Sequence, residues 1–318
     1  MIEKNFKTLD EQIAIFRHKG LIVEDEKYAK EVLLRENYFF LNGYRHLFFK
    51  SQQDKSFIKG TRFEELYSLF LFDRSFRNIL FKYLLVIENN LKSITSYQLS
   101  KKYGYKERDY LKAKNFTQVP DRQRQVNDLL KKMKRQIRVN GSQHTATLHY
   151  VNNYGYIPLW ILVKVLSFGI VSEMISILKP DDQKEISEIY GIPTDEFIDY
   201  LPLLANYRNL CAHEDILYEN KTQKLIDDTI YHKLLNIPKD ADGYKYGKND
   251  LFALIIIMKQ MLSPTEFKNM TIELENVIQT LNYNITTIKI DKVLNRMGFP
   301  LNWTDLAKIE RSVNNEQE

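Results

Sequence analysis

The sequence predicts an all-α protein, and three observations support this. Residues 63–102 contain no Gly or Pro, and their apolar side chains recur at steps of three and four residues, the period of a helix face. Several other apolar stretches begin after Asp or Pro and end at Gly, as helices commonly do. Only residues 283–292 alternate in the manner of a short strand, and a terminal helix fits them equally well.

In the first half of the chain, glycines and one aspartate set the helix boundaries. Gly20 ends the first helix, Asp25 precedes the second, Gly43 interrupts the apolar stretch after the second helix, and Gly104 ends the longest helix. The predicted helices are residues 9–19, 25–36, 63–102, about 107–114 and 121–139. The last of these is basic and is closed by Asn140-Gly141.

In the second half, prolines mark the helix starts. Pro158 suits the first turn of a helix that runs to residue 178, Pro180 opens a short helix, and Pro193 opens the next. In that helix we expect Thr194 to cap the N-terminus and Pro202 to cause a kink or a restart. After residues 223–236 comes a polar loop at 239–250, and further helices are expected at residues 250–262 and 264–282.

The composition is that of a soluble globular protein, with 44% apolar and 27% charged residues among 318. We expect a helical domain over residues 1–240 and a helical C-terminal appendage over 241–318.

Cys211 is the only cysteine, which excludes an intrachain disulfide and a Cys-based metal site. The N-terminus lacks a secretion-signal pattern and no apolar run reaches about 20 residues, so we expect a cytoplasmic protein without a membrane span. The net charge of +5 is compatible with a nucleic-acid partner but does not demonstrate one.

The candidate site is the run Arg208-Asn209-Leu210-Cys211-Ala212-His213, late in a predicted helix at about residues 195–216. On a helix, Asn209 and His213 lie about 40° apart, whereas Arg208 and His213 lie about 140° apart. The long Arg208 stem would have to swing its guanidinium toward the imidazole. An imidazole beside a fork-shaped cation suits chemistry on a phosphodiester. The alternative is a chance spacing in which His213 only bonds a carbonyl at a helix end.

The sequence around this run favours a cleft or a subunit seam. Residues 200–207 are apolar enough to bury one helix face, yet they lead directly into Arg208 and Asn209, and burying such groups without partners is costly. Glu214 and Asp215 are typical of a solvated acidic helix end, and the alternative is that one of them orients the His213 imidazole. Glu88, amid apolar neighbours in the long helix, is either a buried structural partner, for example of Arg208, or a site residue.

A second candidate surface is the basic segment at residues 122–138. Its cations could follow a phosphate backbone, although charge runs on helices are usually solvated faces. These residues are Arg122, Arg124, Lys131, Lys132, Lys134, Arg135 and Arg138. The six histidines show no metal-binding spacing and there is no phosphate-binding loop, so we expect neither a metal nor a cofactor.

The chain resembles the Abi-like (AbiD/AbiF) abortive-infection family of the HEPN superfamily over about residues 5–235. Residues 208–213 match the R-x4-6-H signature of HEPN domains, in the form where Asn follows Arg. The other matching pieces are Asn37-Tyr38, Gly43-Tyr44, Phe72-Asp73 with Arg77, Ile87-Glu88, Tyr97, Tyr103-Gly104, Pro158-Leu159-Trp160, Leu166-Ser167-Phe168-Gly169 and Leu217-Tyr218. Many relatives carry a second His and then an Arg just after the site, where this chain has Glu214 and Ile216.

The resemblance implies a HEPN-like helical bundle with additional N- and C-terminal helices, a role in phage defence, and metal-independent RNA cleavage at a site often shared by a homodimer. It implies RNA as the substrate and a small noncoding RNA antitoxin as a further partner. Arg208, Asn209 and His213 would be the catalytic residues. Two alternatives stay open: a non-catalytic protein that docks a partner RNA, and the modified half of a toxin–antitoxin pair.

Overall fold

A computed structural model describes residues 5–241 and 243–310, and these are predominantly helical. In chain order the α-helices are α1 (Leu9–His18), α2 (Glu26–Glu36), α3 (Tyr38–Gly43), α4 (Phe63–Tyr103), α5 (Glu107–Tyr110), α6 (Gln123–Asn140), α7 (Thr145–Tyr154), α8 (Leu159–Val165), α9 (Phe168–Ser176), α10 (Pro180–Ser187), α11 (Thr194–Ala212), α12 (Ile230–Leu234), α13 (Leu251–Met261), α14 (Pro264–Asn284) and α15 (Ile290–Met297). Short 3₁₀ turns lie at Tyr44–Phe48, Ala113–Asn115, Pro120–Arg122, Glu188–Tyr190 and Trp303–Ala307. Within the described residues, the strands are β1 (Lys239–Asp240) and β2 (Gly243–Tyr244), which pair antiparallel. The prediction of an all-α protein is confirmed.

Helix α4 is the axis of the fold. It is 41 residues long, which at about 1.5 Å per residue is about 60 Å. Helices α14, α8, α11, α10 and α9 all pack against it, and so it is buried on most of its faces. The absence of Gly and Pro allows this length, and Gly104 ends the helix with a φ of 95°.

Helix α11, which carries the candidate site, runs antiparallel to α4. Arg208 contacts Glu88, and farther along the chain Asp215 contacts Arg77, so the contacts on α4 move backward as α11 moves forward. A kink or a restart was expected at Pro202; the restart is wrong, because α11 is a single helix through it, and the kink stays a prediction. Pro202 is exposed, and water can replace the backbone bond that its missing N–H cannot make.

Several predicted boundaries need correction. The helix expected over residues 158–178 is two helices, α8 and α9, because the Ser167 side chain accepts the N–H of Ile170 and caps a new helix. Thr194 is the first residue of α11 and makes no cap. Of residues 223–236, to which no element was assigned, 230–234 form α12. Residues 283–292 span the end of α14, the non-helical segment 285–289 and the start of α15. Helix α7 was not predicted.

The C-terminal helices share the core of the rest of the chain. Every residue of α13 except Gln260 is buried, which explains its continuous apolar run, and α14 packs along α4. In the part of the chain that the structure describes, no helix is both long and apolar enough to cross a membrane.

Candidate active site

His213 lies at the C-terminal end of α11 and is exposed to solvent. Its backbone N–H donates to the carbonyl of Asn209, one turn earlier, and the Asn209 side chain is also exposed. His213 lines an open groove of about 1880 Å³ whose opposite wall is formed by α2 and α3. Two exposed rings of that wall, Phe39 and Phe40, lie in the same groove. The imidazole is therefore open to a ligand as large as a nucleotide.

The turn after His213 has a well-defined geometry. The N–H of Asp215 donates to the carbonyl of Leu210 at 3.3 Å, which is the six-residue bond of a Schellman motif. Glu214 occupies the position where glycine is usual and adopts a φ of 57°. Helix α11 consequently ends at Ala212, whereas the sequence predicted an end at about residue 216.

A buried network holds the segment beyond this turn. The carboxylate of Asp73 accepts the backbone N–H groups of Leu217 and Tyr218 at 3.1 and 2.8 Å, and also the Tyr44 hydroxyl. Arg77 donates to Asp73 at 3.1 Å and to the carbonyl of Asp215 at 2.9 Å. Burial raises the pKa of the Asp73 carboxyl, and the donors around it oppose that rise. The network fixes the chain next to His213 to α4.

Close packing fixes the other side of the same segment. A Cβ atom on Gly43 would lie 2.6 Å from the Cδ1 atom of Ile216, so a larger residue at position 43 would require the Ile216 side chain to shift. Asp73 and Arg77, at i and i+4 on α4, were expected to form no more than an ordinary ion pair, and their role in holding this segment was not predicted. Their signal was in the sequence, because both belong to the pieces that carry the family resemblance.

Arg208 is oriented by Glu88. Its Nε donates to one carboxylate oxygen of Glu88 at 3.0 Å, and Lys92 donates to the other at 2.7 Å. The guanidinium also lies over the ring of Phe81 at 5.7 Å. The Glu88 side chain is only 4% exposed, whereas that of Arg208 is 26% exposed. Among the described residues, the two Nη groups of Arg208 have no protein acceptor, which leaves them available to a phosphate.

Arg208 and His213 leave α11 in different directions within one chain. Arg208 faces the middle of α4, whereas His213 faces the groove beside α3, and Arg208 is not among the residues that line this groove. Of the sequence-predicted pairs, the structure brings together Arg208 and Glu88. It does not bring the Arg208 guanidinium to the His213 imidazole by any hydrogen bond among the described residues.

The neighbouring candidates play lesser parts in this geometry. Glu214 and Asp215 are exposed, and in the described part of the chain neither carboxylate bonds to His213. Cys211 is buried, and burial raises the pKa of its thiol to about 12, so it is unsuited to act as a nucleophile. Within the described ranges, no cluster of three or more His, Cys, Asp or Glu could hold a metal ion.

The basic candidates lie on α6 and the turn before it, away from the groove. Arg122 is half-buried and donates to Gln125, and Lys132 pairs with Glu173 at 2.7 Å. Asp128 lies near both Arg124 and Lys131. The other three cations, Lys134, Arg135 and Arg138, are exposed and have no carboxylate within 4 Å among the described residues.

One comparison with known proteins finds a match. The model of a family described as Abi-like protein matches residues 31–219, which is more than half of the chain and extends from α2 to the segment after α11. No curated protein and no solved structure matches the chain.

Proposed function

The chain belongs to the Abi-like protein family, which indicates a role in abortive infection, and on that premise we propose that it is a metal-independent endoribonuclease of the HEPN type. The ribose 2′-OH would attack the adjacent phosphorus in line, releasing the 5′ oxygen and leaving a 2′,3′-cyclic phosphate. The observation that carries this proposal is the exposed His213, which lies at the end of a rigidly held helix and lines an open groove. Arg208 precedes His213 by about one and a half turns of the same helix and is oriented by the buried carboxylate of Glu88.

Each side chain has a defined part in this reaction. His213 moves a proton, either from the 2′-OH or to the 5′ oxygen. The two Nη groups of Arg208 bind the non-bridging oxygens, on which negative charge develops in the transition state. Asn209, one turn before His213 on the exposed face, binds the phosphate through its amide.

The 208–213 run of a single chain supplies one imidazole, that of His213, and the reaction needs both a base and an acid; the other histidine that lines the groove is His46. A second copy related by a two-fold axis would supply a second His213 imidazole, and would also bring a second Arg208 toward the first His213. Three exposed apolar side chains of the α2–α3 wall, Leu34, Phe39 and Phe40, which we call the rim of the groove, support this arrangement. Leu34 and Phe39 are both 74% exposed and Phe40 is 54% exposed, and burying them against a second copy would be favourable. We propose a homodimer formed through this rim.

The test is the substitution His213→Ala, with His18→Ala as the matched control because His18 is also exposed but lies on α1. We expect His213→Ala to reduce the cleavage rate on single-stranded RNA by about 10²–10⁴-fold and to abolish toxicity, at an unchanged melting temperature. The cleaved 5′ fragment should end in a 2′,3′-cyclic phosphate. A folded His213→Ala protein that cleaves at the rate of the parent would overturn the proposal.

The second candidate function is a non-catalytic RNA-binding protein that docks a partner noncoding RNA. The observation that favours it is the direction of Arg208, which is paired with Glu88 and points away from the groove that His213 lines. Binding and cleavage should be measured on one RNA with and without the substitution. Weaker binding by His213→Ala, with no product from the unsubstituted protein, favours this second function.

A further inference from the structure

A cluster of aromatic rings lies just beyond the C-terminal end of α4. The cluster consists of Tyr105, Tyr150, Tyr154, Tyr156 and Trp160. Ring centroids are 5.6 Å apart for Tyr105 and Trp160, 5.7 Å for Tyr105 and Tyr156, 6.3 Å for Tyr154 and Tyr156, and 5.3 Å for Tyr150 and Tyr154. These rings touch one another in a continuous chain.

The cluster is on the surface. Tyr154, Trp160 and Tyr105 are 57%, 43% and 41% exposed. Helix α7, which carries two of the rings, buries only Thr147. A helix with almost no buried face contributes little to the core, so an explanation for its aromatic side chains has to be sought outside the core.

The backbone beneath the rings is firmly held. The N–H of Leu159 donates to the carbonyl of Tyr105, and the Tyr110 hydroxyl donates to the carbonyl of Ile157 at 2.8 Å. The Thr147 hydroxyl donates to the carbonyl of Asn140, the last residue of α6. The cluster is therefore a fixed platform joined to the end of the basic helix.

Cations lie beside this platform. The ammonium of Lys106 lies 4.7 Å from the ring centroid of Tyr156 and 5.9 Å from that of Tyr105. Residues 129–172 contain six Lys or Arg and no Asp or Glu. Three of these cations, Lys134, Arg135 and Arg138 in the second half of α6, have no carboxylate within 4 Å in the part of the chain that the structure describes. The carboxylate of Glu107, the residue after Lys106, accepts the backbone N–H of Ile157 and is therefore already hydrogen-bonded within the protein.

We infer that the aromatic cluster and the adjacent cations of α6 form a second binding surface, for single-stranded nucleic acid. Unpaired bases stack on exposed rings, and the cations attract the phosphates between them. Bases inside a duplex cannot stack in this way, because their faces are already covered. A second copy of the chain fits poorly, because a two-fold interface brings the same patch of both copies together, and two patches rich in cations repel each other.

This surface is distinct from the groove at His213. The segment after His213 is tied to Arg77, and the aromatic cluster begins two residues beyond Tyr103. These positions are 26 residues apart on α4, or about 39 Å at 1.5 Å per residue. Only the choice of RNA over DNA as the bound strand rests on the proposed function.

The test measures binding in the His213→Ala background, so that cleavage does not enter. A labelled 20-nucleotide oligouridine is titrated by fluorescence anisotropy, and a DNA strand and an RNA duplex of equal length are the other two arms. We expect the double substitution Tyr154→Ala with Trp160→Ala to weaken binding of the single strand by about tenfold or more. Tyr97→Ala, which removes a more exposed ring of α4 outside the cluster, should leave binding unchanged.

The cations are tested separately by the triple substitution of Lys134, Arg135 and Arg138 to Ser. We expect the slope of log K against log salt to fall by about 2, because three phosphate contacts are lost. Tight binding of the duplex, or parent-like binding by the double aromatic variant, would overturn the inference. If the unsubstituted protein cleaves no RNA while the aromatic variant still loses binding, the proposed nuclease fails and this surface stands.

Discussion

At the scale of single residues, the part most open to test is the sharing of one carboxylate by two cations. Glu88 accepts from Arg208 and from Lys92, and its side chain is almost completely buried. A carboxylate in this position satisfies one guanidinium nitrogen and directs the other two. Glu88 would thus act as a positioning residue for Arg208.

The substitution Glu88→Gln tests this role. Gln keeps the shape but turns one carboxylate oxygen into an amide donor, which cannot accept from either cation. We expect the cleavage rate to fall by about tenfold to a hundredfold through misplacement of Arg208, and the free energy of unfolding to fall by about 1–3 kcal/mol. The measurements are kcat and KM on one RNA, together with urea unfolding.

Lys92→Met is the matched control for Glu88→Gln. It removes the other cation of the same carboxylate and leaves Arg208 paired. A loss of stability without a loss of cleavage is the expected result. Equal losses of cleavage in the two variants would show that Glu88 acts only on stability.

At the scale of elements, the end of α11 and the segment after it behave as one unit because Asp73 and Arg77 clamp them to α4. Arg77 is 2% exposed, so Asp73→Asn leaves a buried cation without its partner charge. We expect a loss of about 3–5 kcal/mol in unfolding free energy and faster hydrogen exchange at the amides of Leu217 and Tyr218.

Two further variants keep this prediction testable if Asp73→Asn does not fold. Tyr44→Phe removes only one donor to Asp73 and should cost about 1–2 kcal/mol, with the same two amides exchanging faster. Asp199→Asn breaks an exposed pair with Lys224 and should cost no more than about 1 kcal/mol. Unchanged exchange at Leu217 and Tyr218 in Tyr44→Phe would contradict the clamp.

Which elements the sequence could predict depends on whether local or non-local physics sets them. The length of α4 and the start of α2 are set locally, by apolar periodicity and by the Asp25 cap, and both were predicted. The continuity of α11 through Pro202 depends on which face is exposed, which the sequence does not state. Helix α7 was missed because it buries only Thr147, so its sequence does not need the regularly spaced apolar residues by which a helix is recognised.

The candidate site shows the same division. The spacing of Asn209 and His213 on one face is a local property and was predicted. The pairing of Arg208 with Glu88 joins residues 120 positions apart, and the sequence offered it only as one alternative. The groove wall formed by Phe39 and Phe40 depends on how α3 packs, and no local sequence pattern predicts it.

At the scale of the whole molecule, the pH dependence of stability should carry the signature of Asp250. This side chain caps α13 and accepts the N–H groups of Gly247 and Ala253, and burial raises the pKa of its carboxyl to about 6. The folded state then binds more protons than the unfolded state between about pH 4 and pH 6. The contribution of Asp250 to the free energy of unfolding is therefore largest at about pH 4 and below, and it falls by about 3 kcal/mol as the pH rises through 6.

Asp250→Asn should remove that decline, because Asn also caps helices and does not ionise. We expect the difference in unfolding free energy between Asp250→Asn and the parent to grow in favour of the variant from pH 4 to pH 7. Urea unfolding at four pH values measures it, and the exposed Asp10→Asn serves as the control. If the unfolding free energies of the variant and the parent change in parallel with pH, the assignment of this pH dependence to Asp250 is contradicted.

Assembly is the remaining property of the whole molecule, and it decides whether the proposed site is complete. If two copies meet through the rim of the groove, Phe39→Asp places a charge in that interface and should convert the dimer to a monomer. Tyr283→Asp is the matched control, since Tyr283 is 88% exposed but lies on α14. Analytical ultracentrifugation measures both variants. Because each copy contributes one His213 imidazole to the proposed shared site, the Phe39→Asp monomer should lose cleavage by about 10²-fold or more, although its own His213 is intact. A monomeric Phe39→Asp protein that cleaves RNA at the parent rate would show that one chain suffices and would reject the shared site.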